Sequence, residues 1–397
     1  MEYFATYILL VVAIGTGWVI GRVSKGVKQA ATGKGEIYQD YFVGLNFLLN
    51  DEPDEAIDTF IKALEINSET IDTHLALGAL LRRRGKVDKA IQVHQALLAR
   101  PSLNQSVIDA TRIQLARDYI TSGLLDRAER LLHEILSEDS FAQWEALTLI
   151  ITIYQTEKEW EKAIDCSRRL LKNVEYKKNS EARAAAAHYC CELAENMVLQ
   201  EQFRTAREHI RRAFGFDRKS IRASFILANI EQQLENYKAA IKELDRIRVI
   251  SPVFVSQVLG PLMQCYEHLG NLPEYEKLLT SSLINDPDIS VVLSLCDLIK
   301  KRDGGDSAIS FLNEYMNRSP SLAGLMELLT LQIPQSAENV SGNLTLVKQT
   351  VDRLLIKSPA YQCDHCGYES KSLYWLCPSC KKWDRIKPIV ESESAAS

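Results

Sequence analysis

The chain has 397 residues, 46% of them hydrophobic and 25% charged, a composition that excludes a wholly disordered polypeptide. Its 18 glycines and 11 prolines are too few for a collagen-like or low-complexity chain. A net charge of −5 and a pI near 5.9 give no support to a nucleic-acid-binding surface, and the length suggests two or three ordinary domains or one extended array.

The first element is a run of 19 residues without formal charge, Tyr3 to Gly21, rich in Ile, Leu, Val, Ala and Gly. At about 1.5 Å per residue, a helix of that length matches a hydrocarbon core of about 30 Å. Tyr3, Phe4 and Tyr7 near one edge and Trp18 near the other suit the two interfaces. A cleaved signal peptide needs a basic leading segment, a shorter apolar stretch and a small-residue cleavage site. Here the only charged side chain before the run is Glu2, whereas Arg22, Lys25, Lys28 and Lys34 follow it. The positive-inside bias predicts a single-pass anchor over 1–21, with the N-terminus outside and 22–397 in the cytoplasm. Residues 22–36 read as a juxtamembrane linker. Their ATGKGE segment fails as a phosphate loop, because Lys28 stands where the first glycine belongs and Gly35 replaces the magnesium-binding Ser/Thr.

Self-similarity dominates the long middle of the chain. Gly44, Ala56, Phe60 and Ala63 recur as Gly78, Ala90, His94 and Leu97, and small residues mark the same slot at Ala128, Ala163, Ala206, Ala240 and Ala308. Tyr275 takes the slot between the last two and breaks the small-residue rule. Successive spacings are 34, 38, 35, 43, 34, 35 and 33 residues. Segments such as ALGALLRRRGKVDKAIQVHQALL read as helix, turn, helix, with Gly85, Gly123 and Gly270 where a first helix ends. The pattern resembles the tetratricopeptide repeat, about eight degenerate units over 37–330, with a helical segment over 331–358. This predicts an all-α solenoid offering an extended surface to a peptide or folded partner. The long interval predicts lengthened helices or a longer turn.

No catalytic constellation stands out, so neither catalytic nor cofactor-binding residues are expected. The histidines lack HExxH spacing, and His74, His94, His133, His188 and His209 fall at helical positions as core or groove-lining side chains. The clusters Arg82-Arg83-Arg84 and Lys300-Lys301-Arg302 read as solvated helix ends, with contact to acidic partner segments as the sharper alternative. Cys166, Cys190, Cys191, Cys265 and Cys296 lie in helical patterns without framework spacing, as free buried thiols do in a reducing compartment.

Near the C-terminus, residues 361–389 read YQCDHCGYESKSLYWLCPSCKKWDRIKPI. Cys363-x2-Cys366 and Cys377-x2-Cys380 form two knuckles that predict a closed tetrahedral site for one metal ion within a module over 359–390. So small a module depends on its metal for folding. Two disulfides are the alternative, disfavoured by the cytoplasmic placement. Zinc or iron suits four thiolates, and iron would permit electron transfer. His365 is expected to be exposed rather than a ligand. Tyr374, Trp375 and Trp383 supply apolar bulk around the sulfurs or a means of docking onto the solenoid. The tail 391–397 reads as disordered.

Anchor, repeats and four-cysteine module together resemble the lipopolysaccharide assembly protein B family of Gram-negative bacteria. The most specific pieces are DYFVGLNFLLNDEPDEAIDTF, THLALGALLRRRGKVDKAIQVHQALL and LYWLCPSCKKWDRIKPI, and the family's four metal-ligand cysteines map onto Cys363, Cys366, Cys377 and Cys380. The resemblance implies a non-enzymatic inner-membrane adaptor. It would present the deacetylase committing precursors to lipid A to the membrane AAA+ protease FtsH, under antagonism by a lipopolysaccharide-sensing inner-membrane regulator. Lipopolysaccharide-transport proteins and a second copy of the chain are further partners it allows. An iron-dependent electron carrier and a general scaffold for envelope assembly are the rival functions.

Overall fold

The computed structural model describes residues 43, 47, 55, 71–101, 103–138, 140–283 and 288–389. The expected anchor, the linker, nearly all of the repeat around Gly44 to Ala63 and the tail therefore lie outside the described residues. Among the described residues no helix is long and apolar enough to cross a membrane. The chain divides into two compact units, residues 1–149 and 150–397.

In the first unit, α1 (Ile71–Arg83) pairs with α2 (Val87–Leu98) and α3 (Gln105–Thr121) with α4 (Leu125–Ser137); α5 (Gln143–Glu157) begins here. The repeated alanines explain the close pairing. Ala90 and Ala128 are fully buried, and Leu77, Leu81, Ala90 and Val93 form one apolar cluster. Gly78 is small because His94 fills the space above it; a Cβ there would stand 2.3 Å from the imidazole. Neighbouring hairpins are joined by a buried polar bridge. His94 Nδ1 lies 2.5 Å from Asp118 Oδ2, and Arg82 donates to Asp118 Oδ1 at 2.6 Å. The first member of the Arg82-Arg83-Arg84 cluster is thus no solvated helix end; it serves the interior, because Asp118 is fully buried and requires a cation.

The second unit continues with α6 (Trp160–Leu170), α7 (Val174–Lys178), α8 (Ser180–Leu199), α9 (Phe203–Phe216), α10 (Ile221–Gln233) and α11 (Tyr237–Ile250). A 3-10 turn (Pro252–Phe254) leads to α12 (Val255–His268), α13 (Leu272–Ser282), α14 (Ile289–Asp303), α15 (Gly305–Met316), α16 (Leu322–Gln332) and α17 (Glu338–Lys357). The 43-residue interval holds a lengthened helix, the 20-residue α8, as one expected alternative had it, and before it an additional five-residue helix, α7. Ala163, Ala206, Ala240 and Ala308 are fully buried at the hairpin contacts. Tyr275 is accommodated rather than excluded: it is fully buried, donates its hydroxyl to the Leu259 carbonyl at 3.1 Å and stacks on Tyr266. The second basic cluster is tied down at the end of α14, with Lys301 on Glu267 and Arg302 on Glu276 and Asp303.

Six hairpin turns close in the same way. The backbone N–H of Lys86, Leu124, Glu159, Gln202, Asn236 or Asn271 donates to the carbonyl five residues earlier, at 2.8–2.9 Å. This closure needs a left-handed residue just before the donor. Gly85, Gly123 and Gly270 supply it at φ 64–78°, whereas Lys158, Glu201 and Glu235 adopt φ 58–60° despite their side chains. Glycine therefore marks only half of these turns in the sequence.

Candidate metal centre

The second unit ends in a three-stranded antiparallel sheet of β1 (Tyr361–Cys363), β2 (Glu369–Ser370) and β3 (Ile386–Pro388), in the order β2-β1-β3. The two knuckles hang from it with matching backbone geometry. Cys363 N–H donates to the Tyr368 carbonyl and Cys377 N–H to that of Lys382, each five residues on. Gly367 and Lys381 then return the amide of the fourth position to the cysteine carbonyl, both with positive φ, 73° and 56°. Two copies of one turn thus aim four sulfurs at a common point.

All four Sγ atoms lie within 4.8 Å of one another, and the pairs Cys363–Cys380 and Cys366–Cys377 are 3.8 and 3.7 Å apart. A tetrahedral ion with metal–sulfur bonds of about 2.3 Å has sulfur–sulfur edges of about 3.8 Å, which these two pairs match, so the donor set suits such an ion. These separations are far beyond a disulfide bond, and all nine cysteines are free. The thiols differ in character. The Tyr368 amide draws Cys366 down to about 6, while desolvation and the neighbouring sulfurs push Cys380 up to about 12. Four thiolates repel one another at this distance, and a divalent cation removes that penalty. The five helical cysteines are all buried, and burial pushes Cys190 up to about 12, leaving it unreactive. His365 is exposed and outside the sulfur cluster.

The module is docked on the helices of its unit through two tryptophans. Trp383 stacks on His188 with ring centroids 4.6 Å apart and meets the Tyr189 edge at 5.9 Å. Its indole N–H donates to Gln155 Oε1 at 3.0 Å, an oxygen that also accepts from the Tyr189 hydroxyl at 3.0 Å. The Arg222 guanidinium lies 5.9 Å from the Trp383 ring, held by Glu192 and Glu195 at 2.7 Å. Burial works against that positive charge, and the two carboxylates more than compensate. Trp375 sits 6.0 Å from Phe254 and 6.3 Å from Phe225, half-buried against the apolar cluster built by α10 to α14. Polar contacts rim the tryptophans. Asp384 meets His188 Nε2 at 2.8 Å, and Arg385 pairs with Glu181. Burial raises the Asp384 carboxyl, but the His188 contact and nearby cations bring it below the usual carboxylate range.

Residues 361–388 match a family model described as a rubredoxin metal binding domain, and 73–106 match a tetratricopeptide repeat model. The chain is 33% identical over 385 residues to lipopolysaccharide assembly protein B of Escherichia coli (strain K12), covering 96% of this chain and 97% of that protein. The protein of the same name from Haemophilus influenzae is 33% identical over 401 residues, with 98% of each chain covered. The chain belongs to the lipopolysaccharide assembly protein B family. Among solved structures, a tetratricopeptide repeat protein from Parabacteroides merdae aligns over 67% of this chain and all of its own, at 15% identity and a TM-score of 0.34.

As a member of the lipopolysaccharide assembly protein B family, the chain brings the four cysteines singled out in its sequence to one point. Trp375 and Trp383 turn outward onto the helices rather than only shielding sulfur, while Tyr374 stays exposed. Sequence reasoning missed the receiving side chains Gln155, Glu181, Arg222 and Phe254, and read His188 only as a core or groove-lining side chain. The one available signal was His188, apolar-faced within a run of alanines in α8. Replacing Trp383→Ala removes the central stack and its hydrogen bond. A cost of about 2–4 kcal/mol to docking is expected, read as faster amide exchange in α8 with the metal content unchanged.

Proposed function

We propose that the chain is a non-enzymatic adaptor of the inner membrane, anchored by residues 1–21 with its bulk in the cytoplasm. It presents the deacetylase of the lipid A pathway to the membrane protease FtsH and so limits lipopolysaccharide synthesis. The observation carrying this reading is similarity over 96–98% of the chain to proteins named lipopolysaccharide assembly protein B. The architecture suits it physically: stacked hairpins supply recognition surface, and an anchor confines that surface to the plane of the protease, raising the effective concentration there. The division into anchor 1–21, linker 22–36, repeats 37–330, helical segment 331–358, module 359–390 and tail 391–397 belongs to this proposal. So does one iron or zinc ion held by Cys363, Cys366, Cys377 and Cys380, with the module serving as a structural brace on the helices. An inner-membrane regulator that senses lipopolysaccharide would oppose the adaptor.

Depletion of the protein in cells tests the reading. The deacetylase half-life is expected to lengthen several-fold, and an unchanged half-life favours the general envelope scaffold instead. A chain lacking residues 1–21 is expected to fold yet fail to restore turnover; full restoration by that soluble form would overturn the role of the anchor.

A further inference from the structure

We infer that the groove between α2 and α4 is a docking site for a partner segment that places a bulky apolar side chain next to carboxylates. The groove has a volume of about 550 Å³. Leu115 of α3 forms its floor, and Leu98 and Leu131 form its apolar sides. The second helices of two successive hairpins make its walls, and the hydrogen bond from Gln95 to the Tyr119 hydroxyl, 2.9 Å, ties the α2 wall to α3 beneath.

Charge decides what such a groove accepts. Arg127 and Arg130 line it, both exposed, and among the described residues neither guanidinium has a carboxylate within ion-pair distance. Arg127 rests 6.0 Å from the Tyr119 ring, and Arg130 donates only to the Asp126 backbone carbonyl at 3.3 Å. The one acidic lining residue, Glu134, is already engaged by Arg112 at 3.4 Å. Arg82, Arg112 and Arg117 of the same unit, by contrast, all meet carboxylates. An apolar cleft rimmed by two unpaired arginines complements leucine-like side chains flanked by aspartate or glutamate, since guanidinium accepts carboxylate in a forked pair. A lysine-flanked segment would meet repulsion there. That the segment belongs to the deacetylase rests on the adaptor reading; the chemistry of the groove does not.

The test uses the full-length protein in detergent and rhodamine-labelled peptides followed by fluorescence anisotropy. The acidic probe Ala-Asp-Leu-Glu-Leu-Asp-Ala is compared with one carrying lysine at the acidic positions and one carrying serine at the leucines. The acidic probe is expected to bind at least tenfold tighter than either. The double variant Arg127→Glu/Arg130→Glu is expected to reverse the preference between acidic and lysine probes. Ala99→Trp, which fills the groove from the exposed residue that caps α2 and leaves both arginines, is expected to abolish binding. Equal binding of the three probes, or retained binding by Ala99→Trp, overturns the site. Purified deacetylase is then added to the wild type and to Ala99→Trp. Binding lost only in the variant supports the assignment of the segment, and equal binding to both overturns that assignment while sparing the adaptor reading. A deacetylase that never binds, beside a tightly bound acidic probe, overturns the adaptor reading and leaves the groove standing.

Discussion

Cys377→Ser is expected to empty the metal site, unfold the module and release it from α8 and α10. Cys377 is fully buried at the centre of the module's small core, packed with Cys363 and Ile386. The matched region is only residues 361–388, and a segment of that size buries too little apolar area to fold alone. Metal binding contributes on the order of 10–16 kcal/mol of apparent free energy in zinc-finger peptides near neutral pH, and it is folding free energy. Removing one of four ligands forfeits much of that, far more than a hydroxyl can recover. Elemental analysis should show metal falling from one equivalent to near none. Tryptophan emission should move to longer wavelength as Trp375 and Trp383 leave their apolar surroundings, and limited proteolysis should cut after α17. Cys296→Ser, buried in α14 away from the sulfurs, should change none of these. A Cys377→Ser protein that retains stoichiometric metal would show that three thiolates suffice. An optical spectrum of the native protein separates the two candidate ions, since ferric iron in four thiolates absorbs visible light and zinc does not.

The second large effect lies in the other unit. Asp118→Ala removes the carboxylate that both the Arg82 guanidinium and the fully buried His94 contact, leaving Arg82 only its Gln114 acceptors. Removing one member of a buried ion pair typically costs about 3–5 kcal/mol, because the surviving charge stays desolvated. His94 has no alternative, since its Nε2 already lacks a partner and its ring is wedged against Gly78. In an array where each hairpin chiefly contacts its neighbours, the loss should be local. Amide exchange in α1 to α4 is expected to accelerate by two orders of magnitude or more, with α8 to α11 nearly unchanged. Asp118→Asn, which keeps the shape and two hydrogen bonds, should lose less. Uniform destabilisation of both units would overturn this account of the bridge.

Legibility in the sequence tracks the range of the interactions involved. The alanine slots were legible because two antiparallel helices in one hairpin impose the same steric demand at each repeat. The cysteines were legible because ligand spacing is a property of one short turn used twice. The turns at Lys158, Glu201 and Glu235 were not, because backbone closure there overrides the preference for glycine. Tyr275 was misleading for a related reason: a phenol ring occupies an alanine slot once its hydroxyl finds the Leu259 carbonyl. Asp118 and the docking surface were hidden more deeply. Nothing local distinguishes Gln155 or Glu181 from other helical polar residues, and their partners Trp383 and Arg385 stand 228 and 204 positions away.

That separation has a consequence in time. Ribosomes add about 5–20 residues per second, so about 10–45 s pass between the synthesis of Gln155 and that of Trp383. Within that interval His188, Tyr189, Phe225 and Phe254 emerge in turn, and each then awaits its cover on a growing chain. The cover itself arrives last and must first gather its ion. A cell short of that metal would therefore accumulate chains whose helices are complete but whose aromatic face is bare, the form that chaperones and proteases engage first.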